Sequence, residues 1–114
     1  MMLLIAILRD DHHVRTVVRV LVELGLFDST VLDGEAIENL AVRSIPLFED
    51  VGRWFGQTLD YNRTLLVAVR DRSEVDTLLE LCRRDGLDLR DARVGTLLLV
   101  PCERIAPTEP EAAP

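Results

Sequence analysis

Three stretches of this chain are apolar without alternation: Leu3 to Leu8, Leu65 to Val69 and Leu97 to Val100. Each is the length of a strand, and each is bounded by charged or turn-forming residues. A strand with one face in water alternates apolar and polar side chains. These stretches do not, so both faces of the sheet they form are expected to be covered. Only two segments read as helices long enough to cover a sheet, and two helices cover one face. In a chain of 114 residues, the simplest cover for the other face is another copy of the chain.

At this length the chain is expected to form one domain. Its formal net charge is −7, which argues against a duplex or phosphate-backbone binder, since such a protein needs a basic face. All 13 basic residues are arginine. That excludes a phosphate-loop lysine, a Schiff-base lysine and a lysine base. It leaves guanidinium groups, whose fork can grip an anion through two hydrogen bonds. The two cysteines, Cys82 and Cys102, lie far apart without a second pair, and read as small core side chains rather than a disulfide framework. The apolar start lacks a basic flank and a cleavage site, and Arg9, Asp10 and Asp11 end it after a few residues. It therefore reads as neither a signal peptide nor a membrane span, and the expectation is a soluble, cytoplasmic protein without membrane insertion.

Along the chain, residues 2–8 read as a first strand. Asp10 or Asp11 can cap a helix in which Val14, Val17, Val18, Leu21 and Leu24 follow the helical period, and Gly25 stops it. Residues 29–32 read as a short second strand and 64–70 as a third. Ser73 is expected to cap a second helix with Glu74 and Asp76 in its first turn. Val75, Leu78, Leu79 and Cys82 form its buried stripe, and Gly86 ends it. Residues 95–101 read as a fourth strand, closed by Pro101. The order is βαββαβ, the α+β ferredoxin-like arrangement: a four-stranded antiparallel sheet with two helices on one face. Right-handed crossovers place strands one and three at its centre.

The connection between strands two and three, residues 33–62, is far longer than a hairpin requires, and such excursions are usually functional. Ser44, Pro46, Glu49 and Asp50 mark the start of an extra short helix within it, over 44–56. Leu47, Phe48, Val51, Trp54 and Phe55 would share one broad face of that helix. Phe48, Trp54 and Phe55 are candidates for a partner-binding face; the alternative is that they pack on the protein itself. Residues 107–114 hold three prolines and two glutamates and no apolar residue larger than alanine, the composition of a disordered tail. The domain is expected over 1–106.

Several motifs suggest a family. Leu21-Val22-Glu23-Leu24-Gly25-Leu26 followed by Ser29-Thr30-Val31-Leu32-Asp33 resembles the end of helix one and the second strand of the nitrogen-regulatory PII superfamily. Gly95-Thr96-Leu97-Leu98-Leu99-Val100-Pro101 resembles its glycine-led fourth strand, and Cys102-Glu103-Arg104-Ile105 the exit from that strand. The likeness runs over residues 2–105 in element order and in the placement of the long connection. It implies a homotrimer with the sheets packed inward, small-molecule effectors bound in clefts between subunits, and a long loop that signals to a membrane transporter or an enzyme. It places Gly34, Arg93, Gly95, Thr96 and Arg104 at the cleft, with Arg90 nearby. These arginines read either as an anion clamp or as solvated surface residues in a chain with 20 acids.

The departures from the family pattern are specific. At the base of the long loop the chain has Gly34-Glu35-Ala36-Ile37-Glu38, with one glycine and two acids. Before strand four it has Asp91-Ala92-Arg93-Val94-Gly95, without lysine. Fewer glycines leave fewer backbone amides free to face an anion, so ATP is expected to bind weakly or not at all. The effector class is a nucleotide or other small anion, and no cofactor is implied.

The cluster Asp10, Asp11, His12 and His13 holds potential metal ligands. Adjacent histidines diverge by about 100° on a helix, so helix capping is the better reading and no metal site is assigned. Tyr61 has no flanking motif that marks it for modification. No catalytic constellation is visible, and the chain is read as a non-enzyme. The leading expectation is a PII-like regulatory protein that associates with itself and acts on a target protein. The alternatives are a constitutive interaction module without a ligand site and, third, a small ferredoxin-like enzyme using acids in an intersubunit cleft.

Overall fold

The computed structural model describes residues 1–35, 37 and 61–107. Six elements follow in order: β1 (Met2–Leu8), α1 (Asp11–Glu23), β2 (Ser29–Glu35), β3 (Tyr61–Val69), α2 (Arg72–Arg84) and β4 (Gly95–Pro101). The strands form one antiparallel sheet in the order β2-β3-β1-β4, which is the ferredoxin-like arrangement expected from the element order. The extra helix over 44–56, the aromatic residues Phe48, Trp54 and Phe55, and residues 108–114 lie outside the described residues.

Helix α1 begins where Asp10, in extended conformation, accepts a hydrogen bond from the His12 amide at 2.8 Å. This is ordinary N-capping, which satisfies an otherwise unpaired donor. Both helices end in a Schellman arrangement. At α1, Gly25 takes a φ of 72°, the Gly25 amide donates to Val22 O and the Leu26 amide to Leu21 O. At α2, Gly86 takes a φ of 89°, its amide donates to Arg83 O and the Leu87 amide to Cys82 O. Only glycine enters that left-handed region without a steric penalty.

The cap of α2 differs from expectation. Asp71, not Ser73, is the N-cap, accepting from the Glu74 amide at 3.2 Å. Ser73 lies inside the first turn and donates its hydroxyl to the Asp71 carboxylate. Asp71 with Glu74 has the capping-box spacing, so the signal starts two residues earlier than Ser73.

The core lies between the sheet and the two helices. Leu4, Ala6 and Leu8 of β1 and Leu65, Val67 and Val69 of β3 are buried against Val14, Val17, Val20 and Leu21 of α1 and Val75, Leu78, Leu79 and Cys82 of α2. The buried stripe of α2 is the one the period predicts. On α1 the stripe is rotated: Val20 is fully buried, while Val18 is exposed. Of the two cysteines, Cys82 sits in the core, where burial pushes its thiol up to about 11. Cys102 is exposed, contrary to the core reading, because it lies just past β4, beyond the cover of the helices.

The opposite face of the sheet is apolar as well. The strand register lays Thr30, Leu66, Ile5 and Leu98 in one row across all four strands, and Ala68, Leu3 and Val100 in the next. A third row runs through Leu32, Thr64, Ile7 and Thr96. No described element packs over these rows: Leu32, Leu98 and Val100 are exposed, and β1 is buried only at alternate residues. The unbroken hydrophobicity of the strands is therefore not explained by the two described helices.

Candidate functional site

Two clefts open at the two ends of the sheet. The first, about 800 Å³, lies where β1 ends and α1 begins, and is lined by Arg9, Asp10, Asp11, His13, Asp33, Arg63 and Arg93. The second, about 890 Å³, lies at the other end, with Leu24, Leu26, Asp28, Arg70, Glu74 and Arg104 among its lining.

The first cleft is a meeting of charged residues at the ends of strands and at the start of α1. Arg63 and Asp33 are direct cross-strand partners at the ends of β3 and β2. The Arg63 Nε lies 3.2 Å from Asp33 Oδ1 and 3.2 Å from Asp11 Oδ1 at the start of α1. One guanidinium thus ties the base of the long connection to the first helix. Arg93 comes from the turn before β4 and is 90% exposed along its side chain. It is gripped by Asp91 through Nε at 3.1 Å and Nη2 at 2.7 Å, and its amide also donates to Asp91 Oδ1 at 2.9 Å. The side-chain bonds from Arg93, then that from its amide, hold the Asp91 carboxyl down at about 2. Arg9 pairs with no carboxylate among the described residues. His13 Nδ1 is buried without a hydrogen-bond partner among the described residues.

In the second cleft Arg104 pairs with Asp28, joining the exit of β4 to the entry of β2. Arg70 donates through its amide and its Nε to Glu74 Oε1, and Glu74 Oε2 is buried without a partner.

The residues grouped by the sequence reading are therefore split. Arg93 and Gly34 lie at one end of the sheet and Arg104 at the other, separated by the length of β4, about 20 Å at the usual rise per residue. Neither of these two clefts holds both arginines. Thr96 sits at the first end but in a row of the uncovered face, opposite Ile7. Gly95 has a packing reason of its own: a Cβ there would come 2.1 Å from Ile7 O. At Gly34 a Cβ would meet Asn62 O at 3.3 Å. Arg90 faces α2, 3.9 Å from Glu80, outside both clefts. Arg63 and Arg9 were not singled out by sequence. Arg63 becomes visible only once the β2–β3 register is known, because its significance lies in standing opposite Asp33.

Among the described residues no group of three or more His, Cys, Asp or Glu side chains is placed to hold a metal ion. His12 and His13 have ring centroids 6.5 Å apart. No described helix is long and apolar enough to cross a membrane. No family model and no curated protein matches this chain.

Proposed function

We propose that this protein is a PII-like homotrimeric regulator. It buries the uncovered sheet face against two other copies of itself, binds a small anionic effector between subunits, and acts on a transporter or an enzyme through residues 33–62. The observation that carries the reading is the apolar uncovered face, with Leu66, Ile5 and Leu98 aligned across it. Contiguous apolar surface of this kind marks an interaction site, and three copies around an axis would bury it on all of them at once. The split of Arg93 from Arg104 fits the same assembly. A cleft that uses both arginines needs the Arg93 end of one subunit to meet the Arg104 end of its neighbour.

Light scattering on the purified chain tests the assembly. Three copies per particle are expected at micromolar concentration, and Leu98→Glu, which sets a charge in the middle of the face, should give monomers that keep their helical content. A wild-type monomer would end the trimer reading.

A second reading, a constitutive interaction module without a ligand site, draws on a different observation: Arg93 and Arg104 are each already held by a carboxylate of their own chain. A thermal-shift screen of nucleotides and small anions separates the two. A regulator gives a hit that Arg93→Ala or Arg104→Ala removes, with ATP weak or absent among the hits. A module gives none.

A further inference from the structure

We infer that Asp11 and Asp33 are built-in competitors for Arg63 in the first cleft, so that a small polyvalent anion of the phosphate class binds there by displacing them. The inference deepens the effector reading above and rests on it for the existence of an anionic ligand.

Three guanidinium groups reach this cleft from three different elements: Arg9 after β1, Arg63 at the start of β3 and Arg93 before β4. Their states differ. Arg9 is unpaired among the described residues, and Arg93 is engaged locally by Asp91. Arg63 is shared: its Nε lies 3.2 Å from one oxygen of each of two carboxylates, while its guanidinium nitrogens, the two terminal ones included, make no hydrogen bond among the described residues. Those terminal nitrogens are the pair that would grip a phosphate-type oxyanion in parallel. The competing carboxylates are solvated, Asp11 at 67% and Asp33 at 80% side-chain exposure. Exposed ion pairs of this kind are weak, so a ligand carrying two or more charges can replace them. The same carboxylates repel that ligand until they move aside. Because Asp33 lies at the base of the 33–62 connection and Asp11 on α1, displacement would release the tie between these two elements.

The test is calorimetric titration of the full chain with inorganic pyrophosphate at low salt. Asp33→Asn and Asp11→Asn should each bind it about threefold to tenfold more tightly than wild type, the scale of one solvated charge contact. Arg63→Gln should bind about tenfold or more weakly. In the Arg63→Gln background the Asp33→Asn gain should vanish, since the competition has lost its object. Asp76→Asn is the control for net charge: Asp76 pairs with Arg72 on α2, away from the cleft, and its loss should leave affinity unchanged. The inference is overturned if Asp33→Asn and Asp11→Asn bind no more tightly than Asp76→Asn. It is equally overturned if the Asp33→Asn gain persists without Arg63, or if no variant binds pyrophosphate. Light scattering on the same samples reports the trimer independently, so a trimer without competition removes this inference alone, and a monomer with competition removes the assembly alone.

Discussion

Leu65 and Leu66 are neighbours on β3 with the same side chain, yet their surroundings are opposite. Leu65 is fully buried beneath the two helices, while Leu66 faces the side that no described element covers. The contrast extends across the sheet: Leu4, Ala6 and Leu8 against Leu3, Ile5 and Ile7 on β1. One face is satisfied by the fold of a single chain. The other is largely apolar too, and no described element covers it. Hydrophobic patterning therefore does two different things here: on one face it packs the domain, and on the other it supplies the surface that the proposed trimer would bury.

The largest expected effect separates these two roles. Leu65→Ala should destabilise the protein by about 2–5 kcal/mol, the range for truncating a buried leucine, at any protein concentration in urea denaturation. In the proposed trimer, Leu66→Ala should show a loss that depends on protein concentration, because burial between copies would contribute by mass action. Equal, concentration-independent losses would erase the distinction between the faces.

Gly95→Ala comes next. Gly95 stands opposite Leu8 in a row under the helices, and an added Cβ would come 2.1 Å from the Ile7 carbonyl oxygen, so overpacking should cost about 1–3 kcal/mol and lower the melting temperature. If Gly95 serves a ligand instead, stability should stay unchanged and anion binding should fall.

A smaller effect concerns the cover of the satisfied face. Asp71→Ala removes the cap of α2 and should cost about 1 kcal/mol. Ser73→Ala loses a hydroxyl that donates to Asp71 and should cost less, by chemical denaturation of both variants.

The smallest effect is electrostatic. The side-chain bonds from Arg93 and from Arg84 lower the pKa values of Asp91 and of Glu23 and Asp85, respectively. A carboxyl lowered in the folded state stabilises it above the unfolded pKa, and that contribution fades as pH falls through the folded value. A modest loss of stability is therefore expected between roughly pH 4 and 2, followed by thermal melts across that window. The uncovered rows carry no titrating side chain, so the proposed assembly should not titrate with these groups. If both fall together, the faces are coupled through charge.

Much of the fold was legible. β1 and β4 match the expected 2–8 and 95–101 because their apolar runs end at charges, glycine or proline. β2 and β3 run further towards the connection than their apolar residues, through Asp33-Gly34-Glu35 and Tyr61-Asn62-Arg63, since a backbone ladder does not require apolar side chains. Val18 and Val20 exchange places because valine is apolar at both, and only the angle at which α1 lies on the sheet chooses between them. The site was less legible. Resemblance grouped Arg93 with Arg104, but a strand of seven residues holds them apart in one chain. Arg63 was overlooked because a lone arginine at a strand end carries no motif; its role is created by two residues distant in sequence, Asp11 and Asp33.

β2 has a further consequence. Ser29 to Asp33 are exposed, and β2 sits at an edge of the described sheet, where β3 is its one partner among the described strands. Few buried contacts and one open edge place a segment at the low end of local stability. Its amides should exchange with solvent well before those of β1, which is paired on both sides. Of the two edge strands, the more exposed is thus the one that leads into the 33–62 connection, and peeling it from β3 would leave the core residues of β1, β3 and the helices in place.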